Sequence, residues 1–572
     1  MYKPTSPQQK LFGVETQVSP SLRSRLESSW AHLFRCEVLP ILFRKEHEYA
    51  LLYGTTGRPN FSVARLLGLC LLQEWNDLSD QEALDTFSFD IRWRYALDVD
   101  EEVDYLSRRS LVEFRRRLAA NDPEMKLVRA VFDTIRDTAI ERLGLSVSNQ
   151  RLDSTHIISN IRLRGRVALF SNTLRLFLKS LDEEHVSRVP EAMREWHAQE
   201  PEGWFGLGPA EQKIKLEELA QYLYQCILLF EKDAAITGSE PYQLLQRLFS
   251  EQCDCNAPSS TIQVKKKTEG ATLQSPYDPD ASCGHKGPGY SLHITETCNN
   301  DGTHEIITDY DVHGAARSDI GKALPVIERL DDAGCKPDTL FADGGYPSVP
   351  SALKVNEQDI EFMTPVNRSR LADDVMGRDQ FQFDAEGLVT HCPMGQHPID
   401  HRVLSGNNST RRSLHAIFDG ALCRACTMLE QCPVRAPNHR TKGCQPRDTI
   451  GDFRLEITPE IRLRDHMYAL QQTTEWKNRY RIRSGIEATH SELKRAHGIG
   501  RLRVRRIANV CFAVACKVIA CNIKRWAKAH LVLKRPLRGY LSSLCVRLRL
   551  WPDLITVSFC KKQNFLLVET VS

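Results

Sequence analysis

Residues 478–498 read NRYRIRSGIEATHSELKRAHG, and the interpretation of the whole chain turns on them. At 100° per residue, Tyr480, Arg483, Glu487 and Lys494 project at about 0°, 300°, 340° and 320° around one helix. They share a narrow strip, which sets one carboxylate beside a tyrosine and two cations on a rigid element. Ile482, Ile486, Thr489 and Leu493 fall at about 200°, 240°, 180° and 220°, a mostly apolar strip that predicts the docking face. Taken alone, the stretch reads equally well as a surface helix with a glutamate among cations. Two distant aspartates tip the reading toward chemistry.

The first, Asp153, sits in RLDSTHIISN (151–160), a short alternating, β-branched stretch that predicts a strand. An acid inside a half-buried strand is costly unless it is paired, hydrogen-bonded or metal-bound. The second, Asp343, ends the short apolar run of DTLFADGGYPS (338–348) and precedes two glycines. Strand C-termini are where α/β proteins expose catalytic groups. Carboxylates converging on a strand–strand–helix frame can hold two divalent ions about 4 Å apart. Hard oxygen ligands select Mg²⁺ or Mn²⁺. Tyr480, Arg483 and Lys494 would then grip phosphates on either side of a scissile bond, positioning nucleic acid without reading its sequence.

Charge distribution points the same way. The whole chain is balanced, with 76 Lys+Arg against 73 Asp+Glu, but Lys477 to Leu550 holds 19 Lys/Arg and two acids, Glu487 and Glu492. A one-signed block of that size suggests a polyanionic partner, most simply nucleic acid. An apolar content of 41% and a length of 572 residues suit a soluble protein of several domains. No apolar run looks long enough to span a membrane, because VCFAVACKVIACNI is interrupted by Lys517. The opening residues show no hydrophobic signal core, so the expected location is the cytoplasm. There the 18 cysteines would be thiols or metal ligands.

Along the chain, residues 58–118 predict consecutive helices, with Asn60 or Ser62 capping the first and Ser79 or Asp80 the next. The basic helix SRRSLVEFRRRL (107–118) has Leu111, Phe114 and Leu118 on one face, as in a DNA-reading helix or a packing one. Residues 168–262 predict helices without a catalytic motif. From Ser275 the pattern turns to β and α/β, with a hairpin expected across Asn299-Asn300-Asp301-Gly302. Ser318-Asp319 is the expected cap of a helix through Leu330. Cys423 and Cys426 have CxxC spacing, and with Cys432 and Cys392 they form a candidate structural zinc site, with Cys444, His391 and His397 as substitutes. The helix from about Ile507 is expected to pack behind the sheet, and the tail after residue 531 reads as apolar and irregular.

The spacing Tyr480-(2)-Arg483-(3)-Glu487-(6)-Lys494 resembles the Y-(2)-R-(3)-E-(6)-K signature of bacterial insertion-sequence DDE transposases. LDSTHI and ADGGYPS resemble the two aspartate motifs of that family, in the same order. Helices 58–118 are similar to its N-terminal domain, GHKGPGYSLH to the stretch before its second strand, and the Cys-rich segment to an insertion in its long-chain subgroup. The resemblance implies an α/β, ribonuclease-H-like core in three parts (146–167, 263–380 and 453–530). These are interrupted by a helical insertion (168–262) and a Cys-rich one (381–452). An all-α N-terminal domain (1–125), for DNA binding or dimerisation, precedes them and a tail (531–572) follows. It implies Asp153, Asp343 and Glu487 as ligands of Mg²⁺ or Mn²⁺, and Tyr480, Arg483 and Lys494 as contacts to terminal inverted repeats or flanking DNA. It further implies a homodimer acting on double-stranded transposon ends and target DNA, nucleoid-associated when bound. The competing expectation is a catalytically inactive descendant that binds DNA as a regulator.

Overall fold

The computed structural model describes residues 1–5, 18–99, 106–161, 165–199, 208–256, 261–298, 304–367, 375–405, 412–436, 451–548, 555–559 and 566–570. The Asn299–Gly302 turn and Cys444 lie outside these residues. The chain divides into two compact units, Met1–Leu145 with Asn300–Ile306 and Phe512–Ser572, and Ser146–Asn299 with Ile307–Cys511.

The first unit is helical. Its helices include α1 (Val63–Trp75), α2 (Asp80–Phe89), α3 (Ile91–Ala96), α4 (Arg108–Asn121) and α5 (Lys126–Leu143). Ser62 caps α1, and Ser79 and Glu82 form a reciprocal capping box on α2, satisfying amide groups that have no partner within the helix. On α4 Leu111, Phe114 and Leu118 are buried. Its arginines are largely engaged within the unit: Arg115 with Asp80 and Gln73, Arg116 and Arg117 with Glu113. The C-terminal helix runs from Ile507 to Leu548, across the boundary expected at residue 530 between core and tail, and two paired strands follow, Ile555–Phe559 and Leu566–Thr570. From Phe512 onward this helix belongs with the N-terminal helices instead of the sheet. Phe512 meets Phe114 edge-on at 6.4 Å, and Lys517 is buried between Glu74 and Asp77. That pairing explains how a lysine is accommodated in an apolar helix. Contrary to expectation, Ile507–Leu531 is long and apolar enough to cross a membrane, although 72% of its most apolar window is buried in the protein.

The second unit is built on a six-stranded sheet made of β1 (Asn149–Ile157), β2 (Ser282–Gly284), β3 (Gly287–Thr297), β4 (Ile307–Gly314), β5 (Thr339–Ala342) and β6 (Glu361–Met363). The long path runs β4-β3-β1-β5-β6, with β2 on the edge of β3. β4, β3 and β1 are antiparallel to one another, and β5 and β6 run parallel to β1. Between β1 and β2 the chain makes a helical subdomain around α6 (Arg166–Ser180), α7 (Pro209–Phe230) and α8 (Glu240–Gln252), with its own core including Phe170, Phe177, Leu223, Phe230, Tyr242 and Leu248. After β6 come a three-stranded sheet, β7 (Asp400–Ser405), β8 (Arg412–Phe418) and β9 (Phe453–Ile457), and the helices α9 (Pro459–Gln472), α10 (Thr474–Tyr480) and α11 (Ile486–Ala496).

Two local expectations change. Residues 478–498 are not one helix: α10 ends at Tyr480, a 3₁₀ stretch covers Arg481–Gly485, and α11 begins at Ile486. The common strip through Tyr480 and Glu487 therefore does not hold, although Ile486, Thr489 and Leu493 are buried as the docking face. The helix expected to start at Ser318-Asp319 begins at Ala323, and its N-cap Lys322 makes no side-chain capping bond. The Asp319 carboxylate instead accepts a hydrogen bond from Ser154 Oγ at 2.9 Å.

Candidate metal centre

β1 places Asp153 in the middle of the sheet. The residue is 7% exposed, and its Oδ1 accepts from the Ser154 amide. α11 carries Glu487 in its first turn, exposed, where the positive end of the helix dipole favours an acid. What joins the two is Arg483, in the 3₁₀ stretch, with Nη2 2.7 Å from Asp153 Oδ2 and Nη1 3.6 Å from Glu487 Oε1. His490, one turn into α11, sets Nδ1 3.9 Å from Asp153 Oδ2 and 4.0 Å from Glu487 Oε2. Asp153, Glu487 and His490 thus bring three ligand atoms within 4.8 Å of one another.

Asp343 follows β5 directly, is exposed, and accepts from the Gly344 amide at 2.8 Å. It stands outside the set of three, though its charge is felt at Asp153. Burial pushes the Asp153 carboxyl up to about 6, against the pull of Arg483 and with a smaller push from Glu487 and Asp343. Burial likewise pushes His490 down to about 3, helped by Lys494, Arg483 and Lys286, so at neutral pH the imidazole is uncharged and one ring nitrogen keeps its lone pair. Tyr480 stacks on Trp476 and donates its hydroxyl proton to the Ala342 carbonyl at 2.9 Å, one residue before Asp343. Lys494 remains exposed on α11.

A buried ionic latch fixes α11 to the sheet. Fully buried Glu296 on β3 accepts from Arg151 on β1 at 2.7 Å and from Thr489 Oγ1 on α11 at 2.6 Å. Arg151 Nη1 also donates to the Ile482 carbonyl. Gly485 makes room for this arginine: a Cβ there would lie 2.0 Å from Arg151 Nη1. Its φ of −61° is ordinary, so the position demands space and not backbone freedom.

The donor chemistry fits a divalent cation. Two carboxylates from separate elements face one imidazole nitrogen, His490 Nδ1. His490 was absent from the sequence-based set. Its signal is the spacing Glu487–His490, which places both side chains on one helix face, but its approach to Asp153 is visible only in the fold.

The cysteines gather elsewhere. Cys392, Cys423, Cys426 and Cys432 line one small cavity. Amides of Gln396 and Met428 approach the sulfurs of Cys392 and Cys426 at 3.3 and 3.4 Å. Burial, reinforced by the neighbouring thiols, pushes Cys423 up to about 12, and burial pushes Cys432 up to about 11. The quartet is not among the sets whose ligand atoms all lie within 4.8 Å of one another. His391 and His397 pair with each other, ring centroids 4.3 Å apart.

Carboxylates from the middle of β1, the end of β5 and the first turn of α11 define the class of the site. Residues 391–527, which include Tyr480, Arg483, Glu487 and Lys494, match the family described as Transposase DDE domain. Residues 36–117 match Transposase domain (DUF772). These two matches, in order along the chain, support an insertion-sequence DDE transposase, and a domain of this kind implies a divalent metal. Asp153 and Asp343 lie outside both matches. No curated protein matches the chain. Among solved structures, the cryo-EM structure of the piggyBac transposase synaptic complex with hairpin DNA is similar over 89% of this chain and 75% of that one. Its identity is 9% and its TM-score 0.29, a likeness too slight to carry an argument.

Proposed function

We propose that this chain is a transposase that cleaves double-stranded DNA at the ends of its element and joins the freed 3′-ends to target DNA. The observation that carries the proposal is the meeting of Asp153, Glu487 and His490, from a strand and a helix far apart in sequence, with Asp343 at the neighbouring strand end. The order β4-β3-β1-β5-β6, three antiparallel strands followed by two parallel ones, supports a ribonuclease-H-like core interrupted by the helical and Cys-rich segments.

Asp153, Glu487 and Asp343 would hold Mg²⁺ or Mn²⁺, and His490 as a nitrogen donor would favour Mn²⁺ over Mg²⁺. A bound divalent cation supplies charge neutralisation at the phosphate and lowers the pKa of an attacking hydroxyl. Arg483, already between the carboxylates, balances their charge and orients them. Tyr480 fixes the strand end from which Asp343 emerges. Lys494 and the basic residues around it would bind DNA phosphates, and a homodimer would pair the two transposon ends. The cysteine quartet would take a structural Zn²⁺ that closes its small subdomain.

Glu487→Gln and Asp343→Ala, both at exposed positions, test the assignment. Strand cleavage of an end-bearing duplex should fall by more than roughly 100-fold, with DNA binding retained. Cleavage within a few-fold of the parent would refute the site. The position of Asp343 outside the close set favours a second reading, an inactive descendant that regulates by binding DNA. That reading predicts binding indifferent to Mg²⁺ and to all three acids.

A further inference from the structure

The opposite face of β1 carries a cluster that the acidic centre does not use. Successive strand residues point to opposite faces, so Ser154 faces away from Asp153, and His293 on β3 is its cross-strand partner. His293 Nε2 lies 2.7 Å from His313 Nε2 on β4 and 3.4 Å from Asp319 Oδ1. His293 is 1% exposed and His313 4%. The second nitrogen of each ring is held: His313 Nδ1 donates to the Gly314 carbonyl at 3.0 Å, and His293 Nδ1 meets the Tyr346 hydroxyl at 2.6 Å. Asp319 Oδ2 is held by Ser154 Oγ.

We propose that His293, His313 and Asp319 form a second, nitrogen-rich metal site for an ion of the Zn²⁺ or Co²⁺ class. Their three ligand atoms all lie within 4.8 Å of one another. Bonds of about 2.1 Å around a tetrahedral ion set ligand atoms roughly 3.4 Å apart, the separation of His293 Nε2 and Asp319 Oδ1, while the two imidazole nitrogens, at 2.7 Å, would part by roughly 0.7 Å to admit the ion. The outer bonds are those that orient metal-binding imidazoles: a carbonyl fixes His313 so that Nε2 presents its lone pair, and Tyr346 fixes His293. A plain hydrogen-bond chain from Tyr346 through both rings to Gly314 would use the same atoms. That chain would leave out Asp319, whose Oδ2 is held by Ser154 while its Oδ1 stands 3.4 Å from His293 Nε2 instead of capping the helix that follows. Two imidazoles and one carboxylate leave a fourth position for a tetrahedral ion. Asp319 and Ser154 line an open cavity of about 550 Å³ together with Lys286 and Arg317, so that position would be accessible to water or an anion. Asp311 and Lys322 are the other charged groups whose field reaches both rings.

Cobalt titration of the full chain carrying Cys392→Ser and Cys423→Ser tests this, because the thiol site is then silenced. One equivalent of Co²⁺ should give visible d–d bands with no near-ultraviolet thiolate charge-transfer band, and Zn²⁺ should displace it. Asp319→Asn, nearly isosteric and able to keep the Ser154 bond, and His313→Gln should each weaken Co²⁺ binding by roughly 100-fold. Retention of the spectrum and one equivalent of metal in Asp153→Asn would separate this site from the acidic one. Absence of d–d bands in the cysteine variant, or Asp319→Asn binding as tightly as its parent, would overturn the proposal and leave the hydrogen-bond chain.

Discussion

The two faces of β1 are wired in opposite ways. On one face Arg151 and Asp153 meet charged partners, with Glu296, itself held by Thr489, fixing the arginine and Arg483, Glu487 and His490 gathered at the aspartate. On the other face Ser154 donates to the carboxylate of Asp319, beside two imidazoles and a tyrosine linked in series. A period of two lets one strand serve both without mixing them. The acidic face concentrates like charge that an internal arginine must hold, whereas the imidazole face has its hydrogen bonds nearly satisfied. The first should therefore respond to substitution strongly, in stability, activity and pH dependence alike, the second mainly through modest losses of stability.

The largest break in this contrast should come from Glu296→Ala, which leaves Arg151 buried without its carboxylate. Removing one partner of a buried pair costs about 3–5 kcal/mol, to be read from the denaturant midpoint, and loss of cleavage should accompany it. A change below about 1 kcal/mol would show that the latch does not hold α11.

Asp153→Asn should act in the other direction on stability. Because the Asp153 carboxyl is pushed up to about 6 from an ordinary 3.8, folding favours its protonated form. That contribution is full below about pH 4 and is lost as pH rises through about 6. At pH 8 the charge therefore costs on the order of 1–3 kcal/mol. The asparagine variant should be more stable than the parent by about that amount at pH 8 and nearly equal to it at pH 4, while cleavage is lost. Denaturant unfolding at the two pH values checks this; an equal difference at both would contradict the burial of the charge.

The smallest effect belongs to the imidazole face. Tyr346→Phe removes the hydroxyl from His293 Nδ1 and should cost about 1 kcal/mol, with cleavage within a few-fold of the parent. A loss of cleavage comparable to that expected for Glu487→Gln would mean that the two faces are coupled.

Much of the acidic face was legible from local pattern. The docking strip of α11 follows from a helical period in Ile486, Thr489 and Leu493, and Asp343 from a strand ending in two glycines. The rest depended on partners that no local window contains. Helical spacing could not register the break at Arg481–Gly485, which arises where Ile482 gives its carbonyl to Arg151. Asp319 looked like a helix cap because the same short side chain serves caps and ligands alike. His293 and His313 lay in ordinary alternating strands, and only the β3–β4 register brings them together. The C-terminal helix was misplaced because its apolar residues fit any core, and Lys517 finds its acids on α1 and just beyond it.

Gly485 shows how little of an active centre need be reactive. It offers no acid, base or ligand, yet a methyl group at that point would occupy the space of the guanidinium that anchors the following helix. Part of this protein's chemistry is thus written as an omission: the glutamate two residues later can stand where it does because here the chain carries only hydrogen.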